Sequence, residues 1–328
     1  MNDLVKLAKT KYNIVLEENR QLAPLTTWKI GGPARYFFSA KTPGEIGAAI
    51  RLCNQEKMPY YILGGGSNLL VSDAGFEGLV IKLEILKMEV QNDKIIVGAG
   101  ETMGKVAAIS MQNNLSGIEW AVGIPGTVGG ALFGNSNCFG GSTGESVRKA
   151  TLLGRDGEIK TVEKDYFQFD YNYSKLQDTK EIALEVVFGL KKITKEEMNL
   201  NRGRIVETAV ERSQKQPLGA KVAGSTFKAL KQTKDNIQKL DDKYPRWRES
   251  ALRDGFISTG FIIDKCLGLK GYKLDKMRIS EVHSNFFENL GEATAENAKK
   301  LIDFVKKECK NKLDINLEEE IKYVGKFK

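Results

Sequence analysis

Two glycine-rich stretches are the residues whose types and spacing point most directly to chemistry. The first glycine loop, Gly64–Asn68, reads Gly-Gly-Gly-Ser-Asn, and the second glycine segment, Gly123–Gly130, reads Gly-Ile-Pro-Gly-Thr-Val-Gly-Gly. Backbone N–H groups without a side chain beside them can converge on an anion, so such stretches can bind phosphate. Either stretch alone is equally typical of a glycine-rich turn. Together, in two successive α/β units, they favour a dinucleotide whose pyrophosphate is clamped between two subdomains.

Two common nucleotide-binding motifs are excluded. The Rossmann pattern G-x-G-x-x-G fails because position 69 is Leu69, and the loop leads back into a strand. The Walker A pattern fails because Gly104-Lys105 is preceded by Ala99 and followed by Val106 where the motif needs glycine and a hydroxyl residue. The chain is therefore neither a Rossmann dehydrogenase nor a P-loop NTPase.

The composition indicates a globular chain. The 328 residues predict two or three domains, and 41% hydrophobic with 28% charged residues excludes global disorder. No apolar run reaches the ~18 residues that a transmembrane helix needs, so we expect no membrane insertion. The first twenty residues lack the apolar core of a signal peptide, which predicts a cytoplasmic protein.

Charge and metal-ligating residues narrow the function classes further. The net charge is +8, from 50 Lys+Arg against 42 Asp+Glu, but the basic residues are scattered, so we expect no nucleic-acid partner. A small anionic substrate such as a nucleotide suits this excess. One histidine and four widely spaced cysteines predict reduced thiols and no metal site.

Hydrophobic periodicity predicts the elements that must position these stretches. Alternating apolar residues over 181–190 predict a half-buried strand, and Asp156-Gly157 predicts a hairpin with a two-residue turn. Predicted helices cover 43–58, 103–114, 195–213 and 295–310. The other predicted strands cover 60–63, 69–71, 78–83, 94–98 and 314–325.

Several motifs, in order, carry a resemblance to a known family. They are Thr26–Ala34 (TTWKIGGPA), Leu63–Leu70 (LGGGSNLL), Gly123–Ala131 (GIPGTVGGA), Lys215–Leu218 (KQPL), Ala223–Lys228 (AGSTFK), Gly268–Tyr272 (GLKGY) and Leu317–Glu320 (LEEE). In this order and spacing, the sequence resembles the UDP-N-acetylenolpyruvoylglucosamine reductase (MurB) family over nearly its whole length.

The resemblance implies an α+β fold. A two-subdomain vanillyl-alcohol-oxidase-like FAD-binding fold would be joined to a C-terminal α+β substrate-binding domain. The implied boundaries are 1–85 and 86–195 for the FAD subdomains, 196–312 for the substrate domain, and 313–328 for a strand returning to the active site.

The resemblance also implies the reaction. With noncovalent FAD and NADPH as co-substrate, a monomeric enzyme would reduce UDP-N-acetylglucosamine enolpyruvate to UDP-N-acetylmuramate. The product serves peptidoglycan precursor synthesis, and through it cell wall biogenesis, cell shape and cell division.

The family motifs place site residues on this sequence. Ser225 matches the proton donor, and Glu320 matches the glutamate that polarises the substrate carboxyl group. The implied cofactor-binding residues are Gly64, Gly65, Gly66, Ser67, Asn68, Leu69, Ile124, Gly126, Thr127, Gly130 and Asn135. The implied substrate-binding residues are Lys215, Lys228, His283 and Tyr171.

Three departures from the family pattern keep alternatives open. Asn172 stands at the third catalytic position, where the family has an arginine, with Arg202, Arg204 and Lys215 as candidate substitutes. Ala229 replaces an asparagine or arginine found in many relatives, and 229–255 is a longer, charged insertion. That insertion would be a solvated surface helix, a cover for the substrate mouth or a partner-binding element. The alternatives are a flavin oxidoreductase with another substrate, or a catalytically weak FAD-binding protein.

Overall fold

The computed structural model describes residues 3–138, 140–244, 246–253 and 255–327, without the side chains of 204, 208, 211, 212 and 253. The chain forms two compact units. The first unit consists of Met1–Arg20, Ala34–Gly66 and Glu77–Glu211. The second consists of Gln21–Pro33, Ser67–Phe76 and Arg212–Lys328. The predicted domain boundaries 1–85, 86–195, 196–312 and 313–328 stay predictions.

The helices α1 to α11 are, in chain order, Asp3–Tyr12, Pro43–Gln55, Met103–Gln112, Val128–Gly134, Thr143–Ser146, Leu176–Thr179, Lys195–Lys215, Lys234–Asp241, Trp247–Ala251, Thr259–Phe261 and Ala295–Leu313. The strands β1 to β21 are Glu17–Gln21, Pro33–Ala40, Tyr60–Leu63, Leu69–Val71, Phe76–Leu83, Met88–Gln91, Lys94–Gly98, Leu115–Ser116, Asn137–Cys138, Gly141–Ser142, Val147–Leu153, Ile159–Glu163, Ile182–Gly189, Lys191–Lys192, Leu230–Lys231, Leu252–Arg253, Phe256–Ile257, Lys273–Leu274, Met277–Ile279, Phe287–Asn289 and Lys322–Val324.

The first unit is built on two larger sheets. One has the order β1-β2-β5-β3, in which β3 and β5 run parallel and are joined by a connection that contains β4 instead of a helix. The other is antiparallel and has the order β12-β11-β13-β7-β6. The first glycine loop follows β3, and the second glycine segment leads into α4.

Local sequence explains where α2 forms. Thr42 caps its first turn, Glu45 completes a capping box, and Pro43 occupies the first helical position, where no N–H is needed. Its buried residues include Ile46, Ala49, Ile50 and Cys53, whose spacing places them on one face of the helix.

The second unit packs its core around α11. Thr294 caps this helix, and the Asp73 carboxylate accepts hydrogen bonds from the N–H groups of Ala295 and Glu296 at 2.7 and 3.0 Å. A carboxylate at a helix N-terminus is stabilised by the helix dipole. The unit also contains the sheets β18-β19-β20 and β15-β17-β16 and the parallel pair β21-β4.

Three predictions about strands need correction. The strand β13, the central strand of its sheet, is buried on both faces rather than half-buried, since Ala183 and Val187 are buried as well as the predicted face. The hairpin between β11 and β12 is confirmed, but its loop covers 154–158 instead of two residues. The predicted strand over 314–325 is confined to β21 and an isolated bridge at Glu319.

The interpretation of 229–255 as a solvated surface helix is also wrong. The segment contains α8, α9 and two short strands, and it buries Leu240 and Trp247, which are 0% and 2% exposed. The Trp247 indole N–H donates to Asp241 at 2.8 Å. Because Lys239 and Lys243 donate to the carbonyls of Asp314 and Lys312, this segment is tied to the end of α11.

Two further features concern thiols and helices. None of the four cysteines forms a disulfide, and burial raises the pKa of Cys53, Cys266 and Cys309 to about 12, which makes these three poor nucleophiles at neutral pH. Among the described residues, no helix combines the length and the apolar character needed to cross a membrane.

Candidate active site

The first glycine loop is a run of unpaired backbone donors. Within the described residues, no acceptor contacts the N–H groups of Gly64, Gly65 or Gly66, although this part of the loop is at least half-buried. There is no room for a side chain at Gly64, since a Cβ there would lie 2.6 Å from the Thr127 hydroxyl oxygen. A Cβ on Gly65 would lie 2.6 Å from the Gly126 Cα. The two glycine-rich stretches therefore touch, backbone against backbone.

The second glycine segment uses more of its donors internally. The N–H groups of Val128 and Gly129 donate to the carbonyls of Glu101 and Ala99, at 2.8 and 2.9 Å. The Gly130 N–H donates to the Thr127 hydroxyl, which caps α4. In the part of the chain that the structure describes, the Gly126 and Thr127 N–H groups have no acceptor.

These donors fit a pyrophosphate. Buried backbone N–H groups are normally paired, so a cluster that lacks protein partners suits a bound anion. The first unit provides this cluster from Gly64, Gly65 and Gly66 beside Gly126 and Thr127. We conclude that the residues present suit the phosphates of a flavin dinucleotide.

The second unit brings Ser225 and Glu320 onto neighbouring segments. The Glu320 N–H donates to the Thr226 carbonyl at 2.9 Å, and an isolated bridge pairs Phe227 with Glu319. The Ser225 hydroxyl has no hydrogen-bond partner among the described residues, and its side chain is half-buried. Gly224 precedes it with φ +73 and open space at its Cβ position, so glycine is needed there for backbone conformation alone.

The acidic run 318–320 divides into three roles. Glu318 is exposed and forms an ion pair at 3.1 Å with Lys228, the predicted substrate-binding lysine. Lys228 lies at the end of the segment 223–228, called the Ser225 segment below. Glu319 pairs with Lys306 at 2.9 Å. Burial favours its neutral form, but hydrogen bonds from Lys306 and from its own backbone outweigh burial and lower the pKa of Glu319. Glu320 accepts, at its carbonyl, the side-chain amide of Asn68 at 3.1 Å.

The parallel pair β21-β4 explains why Asn68 and Leu69 meet this run. Leu69 is in register with Lys322, whose N–H donates to the Asn68 carbonyl at 2.9 Å. The last residues of the first glycine loop and Glu320 are thus held on adjacent backbone segments.

Asn172 lies in a tight turn of the first unit. Asp170 and Tyr173 exchange backbone hydrogen bonds across the turn, and Asn172 has a left-handed φ of +51. Asparagine tolerates this conformation better than most residues, including arginine. The Asn172 side-chain oxygen accepts from the Asn137 amide at 3.0 Å.

Asn135 supports the same turn. It ends α4 in the left-handed conformation and is 7% exposed. Its side-chain oxygen accepts from the Gly144 N–H at 2.9 Å, and its amide donates to the Asp170 carbonyl at 2.8 Å. Its amide therefore links the end of the second glycine segment to the turn carrying Tyr171 and Asn172.

Comparisons with known proteins identify the family. One family model, the FAD binding domain, matches residues 34–163, and another, the UDP-N-acetylenolpyruvoylglucosamine reductase C-terminal domain, matches residues 216–324. The reductase of Clostridium botulinum is 32% identical over 95% of this chain and 93% of its own length. The reductase of Listeria monocytogenes is 32% identical over 96% and 97%. The chain belongs to the UDP-N-acetylenolpyruvoylglucosamine reductase family.

A solved reductase agrees with this assignment. The crystal structure of the reductase from Thermus caldophilus matches 95% of this chain and 98% of its own, with a TM-score of 0.74 and 29% identity. Together with the two family models, it confirms the predicted α+β fold, an FAD-binding part followed by a C-terminal reductase domain.

Other predicted residues of this reductase family member lie as follows. Lys215 is exposed at the end of α7, and Ile124 is half-buried in the second glycine segment. His283 lies in the loop before β20, where its Nδ1 accepts from the Asn285 N–H at 3.3 Å. Arg202, a candidate substitute for the missing arginine, donates to the Met111 carbonyl at 3.4 Å. The Arg204 side chain lies outside the described residues.

Sequence reasoning missed two asparagines. Asn285 is buried and hydrogen-bonded to the segment that follows Ser225. Asn137 holds the side chain of Asn172. Asn285 follows the predicted His283 by two residues, which was the available signal. Nothing in the sequence near Asn137 indicated that it would contact Asn172.

Proposed function

We propose that this chain uses FAD and NADPH to reduce UDP-N-acetylglucosamine enolpyruvate to UDP-N-acetylmuramate. The observation that carries the proposal is the hydrogen bond between Glu320 and Thr226, which aligns Glu320 with Ser225 in a chain of this family. Its similarity to reductases over nearly full length supports the same activity. A cytoplasmic location and a monomeric state are part of the proposal.

The cofactor-binding residues of the proposal are those with unpaired backbone donors. FAD, when bound, supplies hydride-transfer chemistry. Gly64, Gly65, Gly66, Gly126 and Thr127 would bind its pyrophosphate through their N–H groups. The remaining residues of the set, Ser67, Asn68, Leu69, Ile124, Gly130 and Asn135, follow from the family motifs.

Ser225 and Glu320 would share the protein's part of the chemistry. The reaction adds a hydride and a proton across the enol double bond, so negative charge develops toward the substrate carboxylate. Glu320 would hydrogen-bond that carboxyl group, and Ser225 would give its hydroxyl proton to the carbon next to it and recover a proton from solvent. The Ser225 hydroxyl suits this role because its described surroundings do not engage it.

Substrate binding would rest on the polar side chains that the family motifs assign to it. Lys215 and Lys228 would bind the UDP phosphates or the carboxylate by charge, and Tyr171 and His283 would add polar contacts. Asn172 would donate its side-chain N–H groups to the carboxylate in place of the family arginine. Its side-chain oxygen already accepts from Asn137, which leaves the amide nitrogen for this role.

An anaerobic flavin experiment tests the proposal. FAD-loaded protein is bleached with NADPH and then mixed with UDP-N-acetylglucosamine enolpyruvate. Return of the flavin colour with one UDP-N-acetylmuramate per flavin is the expected result. Bleaching without return of colour contradicts the substrate, and failure to take up FAD contradicts the whole proposal.

The second candidate is a flavin oxidoreductase with another substrate. The observation that favours it is that Asn172, at the position of the family arginine, has a left-handed φ and accepts a hydrogen bond from Asn137. Asn172→Arg tests this, with Asn172→Gln as a matched control that carries the same left-handed backbone without charge. For the reductase, we expect the arginine variant to recolour with substrate about tenfold faster than the glutamine variant. Both variants should lose about 1 kcal/mol of stability to backbone strain. Equal rates in the two variants would favour the second candidate.

A further inference from the structure

Asn285 makes an unusual set of hydrogen bonds to the Ser225 segment. It is 6% exposed, and its backbone carbonyl accepts from the Thr226 N–H at 2.7 Å. The Asn285 side chain also hydrogen-bonds both backbone groups of Phe227, the residue after Thr226. The side-chain oxygen accepts from the Phe227 N–H at 3.0 Å, and the side-chain amide donates to the Phe227 carbonyl at 2.8 Å.

This pairing sets the register of the segment. A one-residue slip along an extended segment turns every side chain to the opposite face. The Asn285 side chain matches one donor and one acceptor of a single residue, Phe227, so a slip would break both bonds in a buried environment. The neighbouring bridge between Ser225 and Phe286 has the same register. The direction of the Ser225 side chain is therefore fixed by the pairing at Asn285.

The opposite side of the same segment contacts the acidic run. Thr226 accepts from the Glu320 N–H at 2.9 Å, and the Lys228 N–H donates to the Glu318 carbonyl at 2.9 Å. The Ser225 segment thus lies between the loop that carries Asn285 and the run that carries Glu320. A shift on the Asn285 side would move Ser225 relative to Glu320.

We propose that Asn285 is a positioning residue for proton transfer by Ser225. It holds the Ser225 hydroxyl at a fixed place beside Glu320, and His283 supports it by accepting its N–H. The inference rests on the proposed function. Displacement of a reacting group by about 1 Å can slow a step roughly 100-fold, so loss of this pairing should be visible in the rate.

The test compares the two half-reactions of the FAD-loaded enzyme in rapid-mixing experiments. In Asn285→Ala, flavin reoxidation by the enolpyruvate substrate should slow by about 10- to 100-fold. Flavin reduction by NADPH, which needs no proton from Ser225, should stay within about twofold of the wild type. The Ser225→Ala background supplies the decisive comparison. If Asn285 acts through Ser225, adding Asn285→Ala there should slow reoxidation no further.

Asn289→Ala is the matched control. Asn289 is also buried, at 7% exposure, and makes three side-chain hydrogen bonds, to the Trp28 carbonyl and the Gly291 and Ala293 N–H groups. None of these three hydrogen bonds is to the segment that carries Ser225. It should lower the unfolding temperature about as much as Asn285→Ala while leaving the ratio of the two half-reaction rates unchanged.

A second variant keeps the test valid if Asn285→Ala does not fold. Asn285→Asp retains an acceptor for Phe227 but, when ionised, offers no donor to the Phe227 carbonyl. Protonation restores a donor, so its reoxidation rate, relative to wild type, should rise as the pH falls.

The outcomes separate this inference from the proposed function. A wild type that does not recolour with substrate overturns both. If the wild type is active, two results overturn the positioning role only. In one, Asn285→Ala slows both half-reactions equally. In the other, Asn285→Ala slows reoxidation as much in the Ser225→Ala background as in the wild type. The positioning role is also overturned if the reoxidation rate of Asn285→Asp depends on pH in the same way as that of the wild type.

Discussion

The first glycine loop and the second glycine segment look alike in sequence, yet they differ in what their backbone does. Gly64, Gly65 and Gly66 have no acceptor for their N–H groups within the described residues, whereas Val128, Gly129 and Gly130 are all paired. In the second segment, Val128 and Gly129 donate to the carbonyls of Glu101 and Ala99, and Gly130 donates to the Thr127 hydroxyl that caps α4. Glycine content alone therefore does not identify a phosphate loop; the unpaired donors do.

Glycine is also required for different reasons in the two stretches. In the first loop, Gly64 and Gly65 allow a close approach of two backbones. In the second segment, Gly130 has only the Thr127 hydroxyl nearby, at 3.5 Å from its Cβ position. Three substitutions test this difference, ordered by the expected change in unfolding free energy of the FAD-free protein.

Gly65→Ala should have the largest effect. Its Cβ would lie 2.6 Å from the Gly126 Cα, and backbone cannot move aside as a flexible side chain can. We expect a loss of about 2 kcal/mol in urea unfolding, because overpacking of this kind costs roughly 1–3 kcal/mol. The affinity for FAD, measured from the visible absorbance of the bound flavin, should fall at least about tenfold.

Gly104→Ala is the control, since no atom lies within 4 Å of its Cβ position in α3. It should be neutral or slightly stabilising and should retain FAD. If Gly65→Ala binds FAD as the wild type does, the first loop is not the phosphate site.

Thr127→Ala should have an intermediate effect. Thr127 caps α4 by accepting from the Gly130 N–H, and loss of an N-cap hydroxyl costs about 1 kcal/mol. Thermal or urea unfolding measures the loss, and Thr127→Ser should keep most of the stability. Equal stability of the alanine and serine variants would show that the cap contributes little and would weaken the contrast between the two stretches.

Gly130→Ala should have the smallest effect, and of opposite sign. Position 130 lies in the first turn of α4, and a Cβ there would meet the Thr127 hydroxyl at an ordinary contact distance of 3.5 Å, so alanine should stabilise the FAD-free protein by about 0.5 kcal/mol. The neighbouring Gly129→Ala is the contrast, because its Cβ would lie 3.1 Å from the Ala99 Cβ. A loss of FAD affinity without a loss of stability in Gly130→Ala would place this glycine against the cofactor. Destabilisation by Gly130→Ala would show that this position does not accommodate a Cβ.

Much of the fold could be predicted from local sequence. The caps and apolar stripe of α2 and α11 follow from residue types at fixed spacing, which short-range hydrogen bonds and burial of one helix face enforce. The strand β13 was only half predictable. Its alternating face was predicted correctly, but burial of Ala183 and Val187 depends on the parts of the chain that pack over the opposite face of the sheet.

The 229–255 insertion shows the opposite limit. Its charged composition favoured a solvated helix, yet Trp247 and Leu240 are buried. The apolar residues of this segment are widely spaced among charged ones, so they leave a weak periodic signal. Their burial depends on partners far away in sequence, around α11, which no local pattern encodes.

The sequence by itself determined the family, the positions of the glycine-rich stretches, and the residue types at Ser225, Glu320 and Asn172, because these are written in short motifs. Only the tertiary structure decided which backbone donors stay unpaired and that the Glu320 N–H meets the Thr226 carbonyl. It also decided that Asn172 occupies a left-handed turn and that Asn285 pairs with Phe227. The physical reason is that a hydrogen bond is local in space but not in sequence, so its partners are known only once distant segments pack together.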